Sequence, residues 1–236
     1  MINYKKNEHI LLYMVERIST GISGFDELID GGVPKGFAIL LSGAAGCGKT
    51  IFSSQFLWEG AKNGENCLYL TFEERPDSIK SDVEHFGWDF DNENIDISYE
   101  NPVGGRRFSE RVMNHIEEKN IDRLVLDPIS ILLGSYENDP SKMRETFFRL
   151  VDSVRDSNAT TFFISEVPQY DEEKVSRYGI EEFVVDGVFV LYYTGMGESS
   201  FRNLEVKKIR QTAHEPGTYP FKIKSGKGIE VQKQRL

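Results

Sequence analysis

Positions 40–50 read LLSGAAGCGKT, and Gly43, Gly48, Lys49 and Thr50 fit the spacing G-x-x-x-x-G-K-S/T. The apolar run FAILL at 37–41 precedes this stretch as a strand, and Phe52, Phe56 and Leu57 follow it on one face of a helix. A strand, a glycine turn and a helix in that order make a phosphate cradle. Gly43, Gly46 and Gly48 let backbone N–H groups close on an anion, and the positive end of the following helix faces the same point. Residues Gly43, Ala44, Ala45, Gly46, Cys47, Gly48, Lys49, Thr50 and Ile51 are the expected binding loop. In such a loop the lysine meets the β- and γ-phosphates as a point charge, and the hydroxyl of Thr50 joins the shell of a Mg²⁺ ion.

Outward from the loop, strand-like and helical segments alternate. Strands are expected at 67–72, 95–99, 121–127 and 160–165. Helices are expected at 77–86, at 108–119 on the repeat Phe108, Val112 and Ile116, and around Met143, Phe147, Leu150 and Val154. Such alternation predicts an α/β fold with a mostly parallel central sheet flanked by helices. The last third changes character. Segments 183–193, 204–209, 221–223 and 229–231 read as short strands joined by turns containing Gly195, Gly197, Gly217 and Gly226, which adds an antiparallel C-terminal extension. With no linker or repeat, residues 16–236 read as one domain behind an N-terminal extension of residues 1–15.

Composition narrows the partners. A net charge of −10 gives no overall attraction to a nucleic-acid backbone. The apolar runs are strand-sized, far below the roughly 20 residues of a membrane span, and the charged start MINYKKNEH does not read as a signal peptide, so a cytoplasmic address is expected. Cys47 and Cys67 read as reduced, space-filling residues. His9, His85, His115 and His214 form no metal-binding spacing, which leaves magnesium carried in by a nucleotide as the expected metal.

Hydrolysis requires a group that orients water and accepts its proton. Asp127 ends the strand-like LVLD at 124–127, the position from which a carboxylate holds the magnesium shell through water. Glu73 and Glu74 follow another strand directly and therefore project from the carboxyl edge of the sheet, where ligands of open α/β sheets bind. Like charges side by side disfavour double ionisation, so this pair is suited to contain a general base.

Taken together with TGISGFDEL at 20–28, TFEERP at 71–76, FGW at 86–88, RYGIEEF at 177–183, KIRQTAH at 208–214 and YPF at 219–221, the chain resembles a single-domain member of the KaiC family of RecA-like P-loop ATPases. The resemblance covers residues 16–231. It implies ATP as the ligand and Glu73 and Glu74 as catalytic residues alongside Lys49. His85 would lie near the base. It further implies a homo-oligomeric ring, usually a hexamer, in which Lys208, Arg210, Thr212 and His214 reach the nucleotide of a neighbouring subunit. Autokinase activity is not implied: self-phosphorylating members carry adjacent hydroxyls where this chain aligns Glu182 and Phe183.

Two other readings use the same loop. A RecA-type recombination or repair ATPase would bind DNA through the segment after Glu166. That segment carries Asp171, Glu172, Glu173, Glu181 and Glu182 against Lys174 and Arg177, a charge balance that repels phosphates; Arg106 and Arg107 are the opposing feature. An ATP-gated scaffold with little turnover would answer to a protein partner, which the sequence does not specify.

Overall fold

The computed structural model describes residues 15–91, 94–102, 106–168, 174–194 and 201–232. The chain enters through a two-stranded antiparallel ribbon, β1 (Arg17–Ile18) with β2 (Val33–Pro34), closed by a 3₁₀ turn at Asp26–Ile29. β3 (Ala38–Gly43) follows and is buried along its whole length; it leads through the glycine loop into α1 (Lys49–Lys62). Beyond it come β4 (Cys67–Thr71), α2 (Pro76–Glu84), β5 (Ile95–Tyr99), α3 (Arg106–Lys119) and β6 (Arg123–Asp127). Then follow α4 (Ile129–Gly134), α5 (Pro140–Ser157), β7 (Thr160–Glu166) and α6 (Glu181–Val184). β8 (Gly187–Thr194), β9 (Phe201–Ile209), β10 (Thr218–Lys224) and β11 (Gly228–Val231) complete the described chain.

One nine-stranded sheet results, in the order β11-β10-β9-β8-β3-β7-β6-β4-β5. From β8 to β5 every pairing is parallel, and from β8 to β11 every pairing is antiparallel. The mostly parallel sheet with an antiparallel extension is therefore as expected. Because strands of a parallel sheet are buried on both faces, two cores form. α1 lays Phe52 and Phe56 on one face, where Phe56 meets Phe162 edge-on with ring centres 4.6 Å apart. On the other face α3 and α5 contribute Phe108, Val112, Phe147 and Val151.

One segment differs from the sequence reading. The expected strand 183–193 begins as the helical turn α6, and the strand starts only at Gly187. Two local features decide this. The Glu181 carboxylate is fully buried and accepts from the N–H groups of Tyr178 and Ile180, from Ser165 Oγ at 3.2 Å and from Ser176 Oγ at 2.8 Å, which folds the chain back on itself. Asp186 then exchanges hydrogen bonds with Ala38, donating N–H to its carbonyl at 2.8 Å and accepting its N–H on Oδ2 at 3.1 Å, which sets the register of β8. The short helix α4 was also invisible to pattern, since Ile129, Leu132 and Leu133 bury in an almost wholly apolar run with no period to read. Gly195, Gly197 and residues 1–14 lie outside the described residues.

Candidate nucleotide-binding site

Residues at the carboxyl ends of β3, β4, β6 and β7, with Asp82 of α2, Arg202 of β9 and Ile223 of β10, line one cavity of about 350 Å³. The glycine loop forms its floor. Gly48 caps α1 with φ 109°, a left-handed conformation that side chains rarely adopt, and a Cβ there would lie 3.2 Å from Ile223 Cδ1. At Gly43 a Cβ would stand 2.4 Å from the Leu191 carbonyl oxygen and 2.6 Å from Cys47 Sγ, so only glycine lets β3 turn into the loop beside β8. Cys47 is wholly buried and burial pushes its thiol up, so it packs the loop from beneath as a neutral group. Lys49 is only 8 % exposed, and its Nζ donates to the carbonyls of Gly43 and Ala44, each at 3.0 Å, which holds the ammonium over the loop.

Facing this floor are five carboxylates. Glu73, Glu74, Asp82, Asp127 and Glu166 all line the cavity, with Lys49 and Arg202 as the cations. The β4–α2 corner holds its acidic pair through Thr71, whose Oγ1 receives the N–H of Glu74 at 3.0 Å and donates to the Glu74 carbonyl at 2.9 Å. Burial, then the charges of Asp82, Glu73 and Glu166, raise the Glu74 pKa above the usual carboxylate range. Asp127 accepts a hydrogen bond from the Tyr69 hydroxyl at the end of β6. Burial pushes its pKa up to about 6, against the lowering influence of Tyr69 and Lys49 and with Glu74 and Glu166 adding to the rise.

That shift carries a stability consequence. Between the ordinary carboxylate value near 4 and about 6, the folded protein binds more protons at Asp127 than the unfolded chain, so stability falls as pH rises through this window. Asp127→Asn keeps an acceptor for Tyr69 and removes the buried charge. The ligand-free variant should gain about 2 kcal/mol at pH 7 and little at pH 4, while its stabilisation by Mg-ATP falls. Thermal denaturation at both pH values, with and without nucleotide, checks this; equal shifts at both pH values would overturn the assignment.

The residues fit magnesium in a particular way. No group of three or more His, Cys, Asp or Glu side chains among the described residues is arranged as a metal cage. Thr50 and Asp127 instead stand together in the same cavity as oxygen donors. Magnesium usually takes one or two protein oxygens and completes its octahedron with phosphates and water, which suits this donor set.

Other expected residues lie elsewhere. Lys208, Arg210, Thr212 and His214 occupy the end of β9 and the loop after it, at the amino edge of the parallel strands. Gly187 pairs with both Ile39 and Ile209, so this loop starts level with the beginning of β3, about 13 Å from Gly43 by strand rise. Lys208 Nζ donates to the Glu182 carbonyl at 2.7 Å, and burial, then Arg210, lowers its pKa. His85 caps α2, its Nδ1 2.9 Å from the Ser81 carbonyl, and does not line the cavity. Of the acidic segment, Asp171, Glu172 and Glu173 lie outside the described residues, as does the Arg106 side chain; Arg107 is exposed on α3.

Several cavity residues escaped the sequence reading. Glu166 ends β7 as Asp127 ends β6, and the same strand-end logic finds it. Asp82 lies on the helix after the acidic pair, without a motif of its own. Arg202 has no local signal: it arrives from β9, more than 150 residues along the chain, stacks its guanidinium 4.6 Å from the Tyr193 ring centre and reaches the Gly46 carbonyl at 3.3 Å.

A glycine loop between β3 and α1, with carboxylates on the ends of neighbouring parallel strands, defines a P-loop nucleotide-binding domain of the RecA type. The family model of the KaiC ATPase matches residues 18–235, and the chain belongs to that family. It is 36 % identical over 233 residues to the circadian clock protein KaiC3 of Synechocystis, covering 92 % of this chain and 46 % of that protein. It thus spans about half the length of the clock proteins it matches. The UPF0273 protein MK0039 of Methanopyrus kandleri is 33 % identical and is covered over 94 % of both chains. Among solved structures, the KaiC-like protein PH0186 of Pyrococcus horikoshii superposes with a TM-score of 0.80 at 35 % identity, covering 92 % of this chain and 99 % of that one.

Proposed function

We propose that this protein is a magnesium-dependent ATPase that works as a ring, with six subunits as the family arrangement suggests, and that hydrolysis takes place where two subunits meet. The geometry of the basic loop carries this reading. Lys208 and Arg210 are attached to the opposite edge of the sheet from their own glycine loop, too far to touch a nucleotide bound there, while the family pattern gives them a nucleotide to serve. A neighbouring copy is the way to satisfy both.

Within one site, the residues divide the work. Backbone N–H groups of residues 44–50 and Lys49 hold the triphosphate. Thr50 and, through water, Asp127 hold the magnesium ion, which when bound neutralises charge on the β- and γ-phosphates. Glu74, supported by Glu73, takes a proton from the attacking water. The water oxygen bonds to the γ-phosphorus as the bond to the bridging oxygen breaks, releasing ADP and phosphate. From the neighbour, Arg210 and Lys208 meet the charge on the leaving group and the γ-oxygens, with Thr212 and His214 beside them. Arg202 and Ile223 line the same cavity beside the glycine loop. We further propose that the nucleotide state of the ring is what a protein partner reads. The clock role of the cyanobacterial relatives is not part of this proposal.

Native mass measured with Mg-ATP and with Mg-ADP tests the assembly. The expected result is a hexamer-sized particle with ATP and specific ATPase activity that rises with protein concentration. A monomer hydrolysing at full rate would overturn the proposal.

A further inference from the structure

The loop proposed to act on a neighbour is itself held from two sides within its own subunit. On one side Asp186, buried at the start of β8, binds Arg155 of α5 through both carboxylate oxygens, at 2.8 and 3.1 Å, and accepts the Ala38 N–H on Oδ2. Its Oδ1 also receives one nitrogen of Arg210 at 3.2 Å, while its backbone carbonyl accepts the Arg210 N–H at 3.0 Å. The Arg210 side chain nevertheless remains 56 % exposed, so most of its fork still faces outward. On the other side Arg17 of β1 grips the next two residues, donating to the Gln211 carbonyl at 2.9 Å and to Thr212 Oγ1 at 3.0 Å. Arg17 is anchored in turn on the Gly32 carbonyl at 3.0 Å and on Asp30. Thr212 Oγ1 closes the circuit on the Arg210 carbonyl at 3.1 Å, and Gln211 between them takes φ 54°.

Resting on the trans reading above, we propose that Asp186 and Arg17 are positioning residues: together they clamp residues 210–212 so that Arg210 is presented, with its outer donors free, to the nucleotide of the adjacent subunit. Physical chemistry favours this over an ordinary surface ion pair. An exposed arginine paired to a carboxylate contributes little stability, and a flexible guanidinium must be ordered before it can serve a reacting phosphate. Asp186 removes that ordering cost in advance because Arg155 and Ala38 already hold it rigid. Arg17 restrains the backbone on the far side of Gln211, where rotation would otherwise swing Arg210 away. The N-terminal ribbon, remote from the glycine loop in the fold, thereby acquires a part in turnover.

The test uses the full-length ring. Asp186→Asn keeps the acceptor for Ala38 but loses the charge that orders Arg210. It should lower kcat by about 10- to 100-fold, leave ATP affinity and particle mass unchanged, and add no further loss to Arg210→Ala. Mixed with Glu73→Gln/Glu74→Gln subunits, which carry an intact loop but an inert site, it should regain activity above either preparation alone. A merely structural defect would not be repaired by mixing. Full kcat in Asp186→Asn while Arg210→Ala is impaired overturns the clamp and leaves the trans reading standing; full kcat in Arg210→Ala overturns the trans reading itself. Should Asp186→Asn fail to assemble, Arg17→Lys probes the same loop from its other side, and wild-type kcat there also overturns the proposal.

Discussion

Glu73→Gln with Glu74→Gln should bind ATP normally and turn it over about 10³-fold more slowly, within the range that a positioned general base contributes. Both side chains are exposed and make their fixed contacts through backbone atoms to Thr71, so amide replacements leave the β4–α2 corner and the melting temperature nearly unchanged. Removing the negative charge of two of the five clustered carboxylates should tighten phosphate binding. The single variant Glu73→Gln separates the two roles. Glu73 is one of the charges that raise the Glu74 pKa, so removing it should move the acidic limb of the kcat profile to lower pH while turnover persists. Single-turnover cleavage and nucleotide binding measured on the same preparations check both statements. A double variant retaining more than about a tenth of wild-type turnover would reject the acidic pair as the base.

Arg210→Ala is the second large effect. A cation supplied in trans to phosphoryl transfer is worth about 10³-fold or more in kcat, and that loss is expected here with ATP affinity and ring mass preserved. Stability offers no alternative explanation, because the Arg210–Asp186 pair is largely exposed on the arginine side and worth well under about 1 kcal/mol. Rings mixed from Arg210→Ala and Glu73→Gln/Glu74→Gln subunits should recover activity, since some seams then join an intact acidic pair to an intact arginine. Neither parent has such a seam. Mixtures no more active than their parents would show that both groups act within a single subunit.

How much of this was legible beforehand depends on whether a residue acts through its neighbours in sequence or in space. The glycine loop was readable because its geometry is local: strand, turn, lysine and helix are contiguous, and only glycine fits at Gly43 and Gly48. Asp127 and the pair Glu73 and Glu74 were readable because the end of a buried parallel strand is a defined place, and all three line one cavity. Residues 183–186, expected as the start of the strand 183–193, fold otherwise because the buried carboxylate of Glu181 and the Asp186–Ala38 pairing override the β-forming character of Phe183, Val184 and Val185.

By itself, the order of residues determined the fold class, the phosphate cradle and the acidic edge, because apolar period, glycine spacing and strand-end chemistry are properties of short windows. Only the tertiary structure decided that Arg202 lines the cavity, that Lys208 and Arg210 stand at the far edge of the sheet, and that Asp186 and Arg17 hold residues 210–212. Those relations come from strand order and register. β9 runs antiparallel to β8 and carries Arg202 to one edge and Lys208 to the other within a single strand, a consequence of pairing between distant segments that no local pattern encodes.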